Sequence, residues 1–103
     1  MASKLAPTGG LKTVTASGTA EAIVASETRV LSVVFQAMSG NTNPVYIGDS
    51  SVNKTTSPQV ALEAKESLSI IASDVSGGAW LDLNEFYVDA DTNGEGVSYL
   101  YIS

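Results

Sequence analysis

Apolar residues recur along this chain in short alternating runs separated by Gly, Ser, Thr, Asn and Asp. A period of two, carried by β-branched residues, predicts strands with one buried face rather than helices. Leu11 to Ala16 alternates in this way, and Thr19 to Val24 follows the turn at Ser17-Gly18. The clearest strand is Arg29 to Met38, with Leu31, Val33, Phe35 and Ala37 on one face and Val30, Ser32, Val34 and Gln36 on the other. Ser39 to Pro44 then predicts a turn, Val45-Tyr46-Ile47 a strand, and Gly48-Asp49-Ser50-Ser51 its end. Ala61 to Glu66 consists of good helix formers, but so short a stretch is marginal as a helix. Within the ambiguous segment Gln59 to Glu66, a strand ending near Leu62 and a tight turn through Lys65 are expected instead, followed by a strand from Ser67 to Ala72. Ser76-Gly77-Gly78 reads as a loop, and Glu85 to Ala90 and Gly96 to Ser103 as the last strands.

About eight short strands with no amphipathic helix between them predict an all-β fold. An antiparallel β-sandwich, jelly-roll or immunoglobulin-like, is the expected architecture. At 103 residues the chain suits one domain, placed at 11–103, which can bury roughly 60 to 70% of its unfolded surface. Residues 1–10 are expected to form a flexible N-terminal arm. They lack the apolar run of a signal peptide, and no run approaches the ~18 residues of a membrane span. A soluble chain made inside the cell is therefore expected, with no membrane partner. In such a chain the glycosylation pattern Asn53-Lys54-Thr55 is read as chance.

Composition removes whole classes of chemistry. There is no Cys and no His, so the Cys-His and Ser-His nucleophile systems and the usual zinc sites are excluded. Five basic residues stand against 11 acidic ones, for a net charge of −6. The bases Lys4, Lys12, Arg29, Lys54 and Lys65 are scattered singly, which argues against nucleic acid as a partner. The charge is also lopsided, because residues 66–103 hold seven acids and no base. Those acids predict solvated loops or a surface for a cation or a basic partner. With only 16% charged residues, the surface must be rich in Ser, Thr, Asn and Gly, or be partly covered.

Few motifs carry specific chemistry. Asp89, Asp91, Asn93 and Glu95 alternate around Gly94 as in the first half of a calcium loop, which makes them the candidate metal ligands. Leu100 stands where the bidentate Glu belongs, and the flanks read as strands. The alternative is a hairpin in which Asn93-Gly94 supplies positive φ between Phe86–Asp89 and Val97–Ile102. Ser50 after Asp49 could be a nucleophile only with a lysine base, Lys54 or Lys65. The carboxylate pairs Asp82 with Glu85 and Asp89 with Asp91 have the residue types of glycoside hydrolysis, but a chain this short has little room for a cleft. Ser76-Gly77-Gly78-Ala79 lacks the Lys and following helix of a phosphate loop. No catalytic residue is assigned, and the chain is not expected to be an enzyme. No organic cofactor is implied. The last strand is apolar on both faces, with Val97, Tyr99 and Tyr101 on one and Leu100 and Ile102 on the other. It is expected to lie centrally or to join an interface.

From Val45 onward the chain resembles small virion proteins of tailed bacteriophages. The carrying stretches are Val45-Tyr-Ile-Gly-Asp-Ser-Ser-Val52, Glu66-Ser-Leu-Ser-Ile70 and Phe86-Tyr-Val-Asp-Ala-Asp-Thr-Asn-Gly-Glu-Gly-Val-Ser-Tyr-Leu-Tyr-Ile102. Ala64-Lys65 replaces the Pro-Gly turn common before the Glu-Ser pair of such proteins. The resemblance implies a β-sandwich bound to the capsid exterior as a decoration or cement protein, or placed elsewhere on the particle. The partners would be the major capsid protein or other virion proteins, the chain would be a homo-oligomer, and its location the virion. Leu5, Pro7, Tyr99 and Tyr101 are the expected interface residues. A second reading is a glycan- or receptor-binding module of a tail fibre or spike, which would use exposed Trp80 with Asp82 and Glu85.

Overall fold

In the computed structural model of the chain, the described residues are 5–72 and 80–103. The Ser76-Gly77-Gly78 loop lies outside them. The fold is all-β, with antiparallel sheets and almost no helix. One sheet contains β1 (Pro7–Thr13), β10 (Gly96–Ile102), β4 (Ser32–Ala37) and β7 (Ser67–Ile71), in that order. The other contains β2 (Glu21–Ala22), β9 (Tyr87–Ala90), β5 (Val45–Gly48) and β6 (Val60–Leu62). A two-residue pair joins β3 (Arg29–Val30) to β8 (Leu81–Asp82), and the 3-10 turn Leu83–Glu85 follows. No helix among the described residues is long and apolar enough to cross a membrane.

Period-two alternation puts Val33, Phe35 and Ala37 of β4 and Val97 of β10 on the inner side of the first sheet. Val45 and Ile47 of β5, Val88 and Ala90 of β9 and Leu62 of β6 do the same for the second. These residues belong to a single core, completed by Val14, Ile23, Val30 and Leu83. Each large side chain buried there is worth about 1.5–3 kcal/mol of transfer free energy, which makes this core the main favourable term in folding. Lys12 and Glu21 form an ion pair at 3.1 Å between β1 and β2. β10 is an inner strand of its sheet, with one apolar face on the core and the other, carrying Leu100, exposed.

Several expectations need correction. Pro7 to Gly10 do not belong to an arm; they pair with Ile102 to Tyr99, so β1 starts before residue 11 and ends at Thr13. The strand expected over Thr19 to Val24 shrinks to Glu21–Ala22. Arg29 to Met38 is broken at Leu31, whose N–H donates to Ile102 O while its carbonyl accepts from Ala72 N–H. The alternation changes phase there, which buries Val30 and leaves Leu31 half-buried. Phe86–Asp89 and Val97–Ile102 do not form a hairpin, because β9 and β10 belong to different sheets and the 91–95 loop crosses between them. Gly94 has φ +89°, but Asn93 is not in the left-handed region. The turn after β6 does fall at Lys65, with φ 73° and a hydrogen bond from Glu66 N–H to Glu63 O.

Candidate functional site

The outer faces of the two sheets are built differently. On the first sheet the outward residues are Ser, Gly, Gln, Thr, Pro and five large aliphatics, the half-buried Ile102 and four exposed ones, with no charge among them. Leu11, Leu100, Val34 and Ile71 are 59, 50, 39 and 73% exposed. Leu100 and Val34 are register partners at the centre, while Leu11 and Ile71 flank them on the edge strands. Lys12, the sole charged residue in these four strands, points inward to Glu21. Tyr99 and Tyr101 lie on the inner side, stacked at 6.2 Å, half-buried and packed against the core. Burial first, and then Tyr101, raises the Tyr99 hydroxyl above its ordinary pKa. Pro7 is an exposed residue of β1 rather than of an arm. Exposed Leu5 shares a 420 Å³ depression with Arg29, Leu31 and Ser103.

Loops instead cover the second sheet's outer face. Asp89 on that face is fully buried. Its Oδ1 accepts from the Gly18 and Ala90 amides at 2.9 and 2.8 Å, and its Oδ2 accepts from the Lys54 amide at 2.8 Å. One carboxylate thus holds the 15–19 and 53–57 loops onto β9. Lys54 Nζ reinforces the contact by donating to Ser17 Oγ at 2.7 Å, and Ser17 Oγ in turn donates to Ala90 O. The other candidate ligands are dispersed in the same way. The Asp91 carboxylate accepts from the Tyr46 hydroxyl, Asn93 Oδ1 from the Ser17 amide, and the Glu95 carboxylate from the Thr42 amide and hydroxyl and the Asn43 amide. Among the described residues no three acidic side chains converge as a metal site. In this arrangement the alternating oxygens serve as loop anchors, each engaged with donors from a different segment.

Three of the carboxyls are held below their ordinary range. The Gln59 amide and the Ser51 hydroxyl and amide hold Asp49 at about 2, against an ordinary 3.8. The Thr42 amide, helped by the Thr42 hydroxyl and the Asn43 amide, lowers Glu95 against the opposing effect of desolvation. Burial pushes Glu21 up, but the Ala16 and Thr15 amides and Lys12 together bring it below 4.5. A depressed folded pKa gives stability that is complete above the unfolded value and lost as pH falls through the folded one. The melting temperature is therefore expected to stay level from about pH 7 to about pH 5.5 and to fall steadily between about 4.5 and 2. Thermal unfolding across that range checks it, and a flat profile down to pH 2.5 contradicts it. Burial, then Asp91, shifts the Tyr46 hydroxyl in the opposite direction, upward.

Trp80, Asp82 and Glu85 do come together. With Glu27, Leu81 and Phe86 they line an open depression of about 480 Å³. The Arg29 guanidinium lies 5.4 Å from the Trp80 ring centroid. Asp82 Oδ1 is committed to the Thr28 and Asn84 amides, where it caps the 3-10 turn. Ser50 is exposed, its neighbour Asp49 is bonded to Ser51 and Gln59, and Lys54, one of its two candidate bases, donates to Ser17 instead. Sequence reasoning missed Asn41, a buried side chain bonded to both backbone groups of Gly96, and Gln59, at φ 55° with its amide over Asp49. An isolated polar residue inside an apolar stretch was the available signal for Asp89. Comparison of the chain with family models, characterised proteins and solved structures gives no match.

Proposed function

We propose that this chain is a structural protein of a bacteriophage particle, a capsid decoration or cement protein that bridges capsomers by surface contact. The observation carrying the reading is the outer face of the first sheet, four strands wide, free of charge and studded with exposed aliphatics. A stable contact buries about 800 Å² per partner, and a symmetric shell multiplies a weaker one through avidity. The resemblance of Val45–Val52, Glu66–Ile70 and Phe86–Ile102 to small virion proteins supports the same reading. The finer architecture that belongs with it is an antiparallel β-sandwich, jelly-roll or immunoglobulin-like, with the core between the two four-stranded sheets. Partners would be the major capsid protein or other virion proteins.

Particles purified from the lysate in which the chain is made should carry it in hundreds of copies by quantitative mass spectrometry. Absence from particles overturns the reading, and a few to a few tens of copies moves the chain to tail or vertex. A second reading, a glycan-binding module of a tail fibre or spike, is favoured by the shared depression at Trp80, Asp82 and Glu85. It would require sugars to quench Trp80 fluorescence, which a decoration protein should not show.

A further inference from the structure

We infer that the occupant of the uncharged sheet face is a second copy of this chain, so that the working unit is a two-fold dimer packed sheet on sheet. The inference rests on reading that face as a contact surface and gives it to a second copy, so that the dimer would meet capsomers through the remaining surface of each copy.

Charge selects the partner. Two copies at −6 each repel one another over most approaches. Glu21, Glu27, Asp49, Glu63, Glu85 and Asp91 lie on the second sheet, its loops or the 3-10 turn, and the charges bordering the outer face of β1, β10, β4 and β7 at the start of β7 are the opposite pair Lys65 and Glu66. That face is where a copy can dock without setting like charge against like charge. A basic partner would instead be drawn to the acidic remainder. The two-fold arrangement requires a patch complementary to itself, and the central pair Leu100 and Val34 flanked by Leu11 and Ile71 meets that need.

Area sets the strength. Four strands about 4.8 Å apart, each about six residues at roughly 3.4 Å, span roughly 20 by 20 Å. That is about 400 Å² of plan area per copy, and side-chain relief brings the total buried on pairing near ~1,000 Å², the lower limit for a specific interface. Two such faces would stack about 10 Å apart with strands near 30° to one another. An interface at that lower limit belongs to the weak, reversible class.

Sedimentation velocity of the isolated chain from roughly 1 to 100 µM tests this. The expected result is conversion from a 10.6 kDa species to one of twice that mass. Raising salt from about 0.05 to 0.5 M should tighten the dimer, because it screens the repulsion between the acidic remainders. Leu100→Glu and Val34→Glu should each weaken it at least tenfold, since the two-fold places both new charges in one interface. Far-UV circular dichroism shows whether these outward substitutions keep the fold, and Gln36→Glu, at an already polar outward position, provides a second variant. A chain monomeric at 100 µM, a trimer or larger, or a dimer unaffected by the folded variants overturns the inference. Copy number on particles is read separately: a monomer found on particles sinks the dimer alone, and a dimer absent from particles sinks the virion reading alone.

Discussion

Asp89→Ala is expected to lower the melting temperature by at least about 12 °C, for a loss of roughly 3–5 kcal/mol. Three backbone amides, from Gly18, Lys54 and Ala90, converge on this fully buried carboxylate at 2.8 to 2.9 Å. Hydrogen bonds to a charged acceptor contribute about 1.5–3 kcal/mol each, and a buried donor left without a partner keeps its desolvation cost. The loops carrying Gly18 and Lys54 can open to water once released, which limits the loss to less than three full bonds. Asp89→Asn retains one oxygen for Gly18 and Ala90 and turns an amino group toward the Lys54 amide, so its cost should be smaller. Faster amide exchange at Gly18 and Lys54 should accompany both variants. An Asp89→Ala protein melting within about 3 °C of the parent would show that the carboxylate holds nothing together.

The same residue shows where sequence stops being informative. Asp89, Asp91, Asn93 and Glu95 have the spacing of calcium ligands, and spacing is all that a linear pattern contains. What decides their use is which donors arrive from elsewhere: Gly18 is 71 positions away in sequence and Lys54 is 35. The amides get there first, and the oxygens face in different directions. The Trp80, Asp82 and Glu85 grouping was legible because its members are near neighbours, held together by the β8 pairing and the 3-10 turn.

Strand identity was readable for a comparable reason. Period two is local, so Ser32 to Ala37, Val45 to Gly48 and Ser67 to Ile71 lie where the alternation puts them. Sheet membership is not local. Asn93-Gly94 is a good hairpin signal, yet β9 and β10 join different sheets because each finds a longer-range partner, β5 and β4 respectively. Leu31 shares the pattern of Val33, but one extra residue between β3 and β4 shifts the phase and turns it out of the core. The uncharged face is spread over four strands from both ends of the chain, so it exists as a surface only once register is known.

Phe35→Ala should be the most damaging single truncation on β4, at about 3–5 kcal/mol. Phe35 is fully buried, and its ring lies 5.4 Å from that of Phe86 at a tilt of 48°, an arrangement worth about 0.5–1.5 kcal/mol beyond area burial. Its cross-strand partners are Tyr99 and Leu68, both packed against the core, so neighbouring strands restrict collapse into the space left behind. A domain of this size is held by about 5–15 kcal/mol in all, so the variant should unfold at much lower urea and retain a similar slope of free energy against denaturant. Val34→Ala, one residue earlier and facing outward, should cost under about 1 kcal/mol in the monomer. Equal losses at 34 and 35 would mean that the two faces have been exchanged, and with them the surface on which a partner is expected to dock.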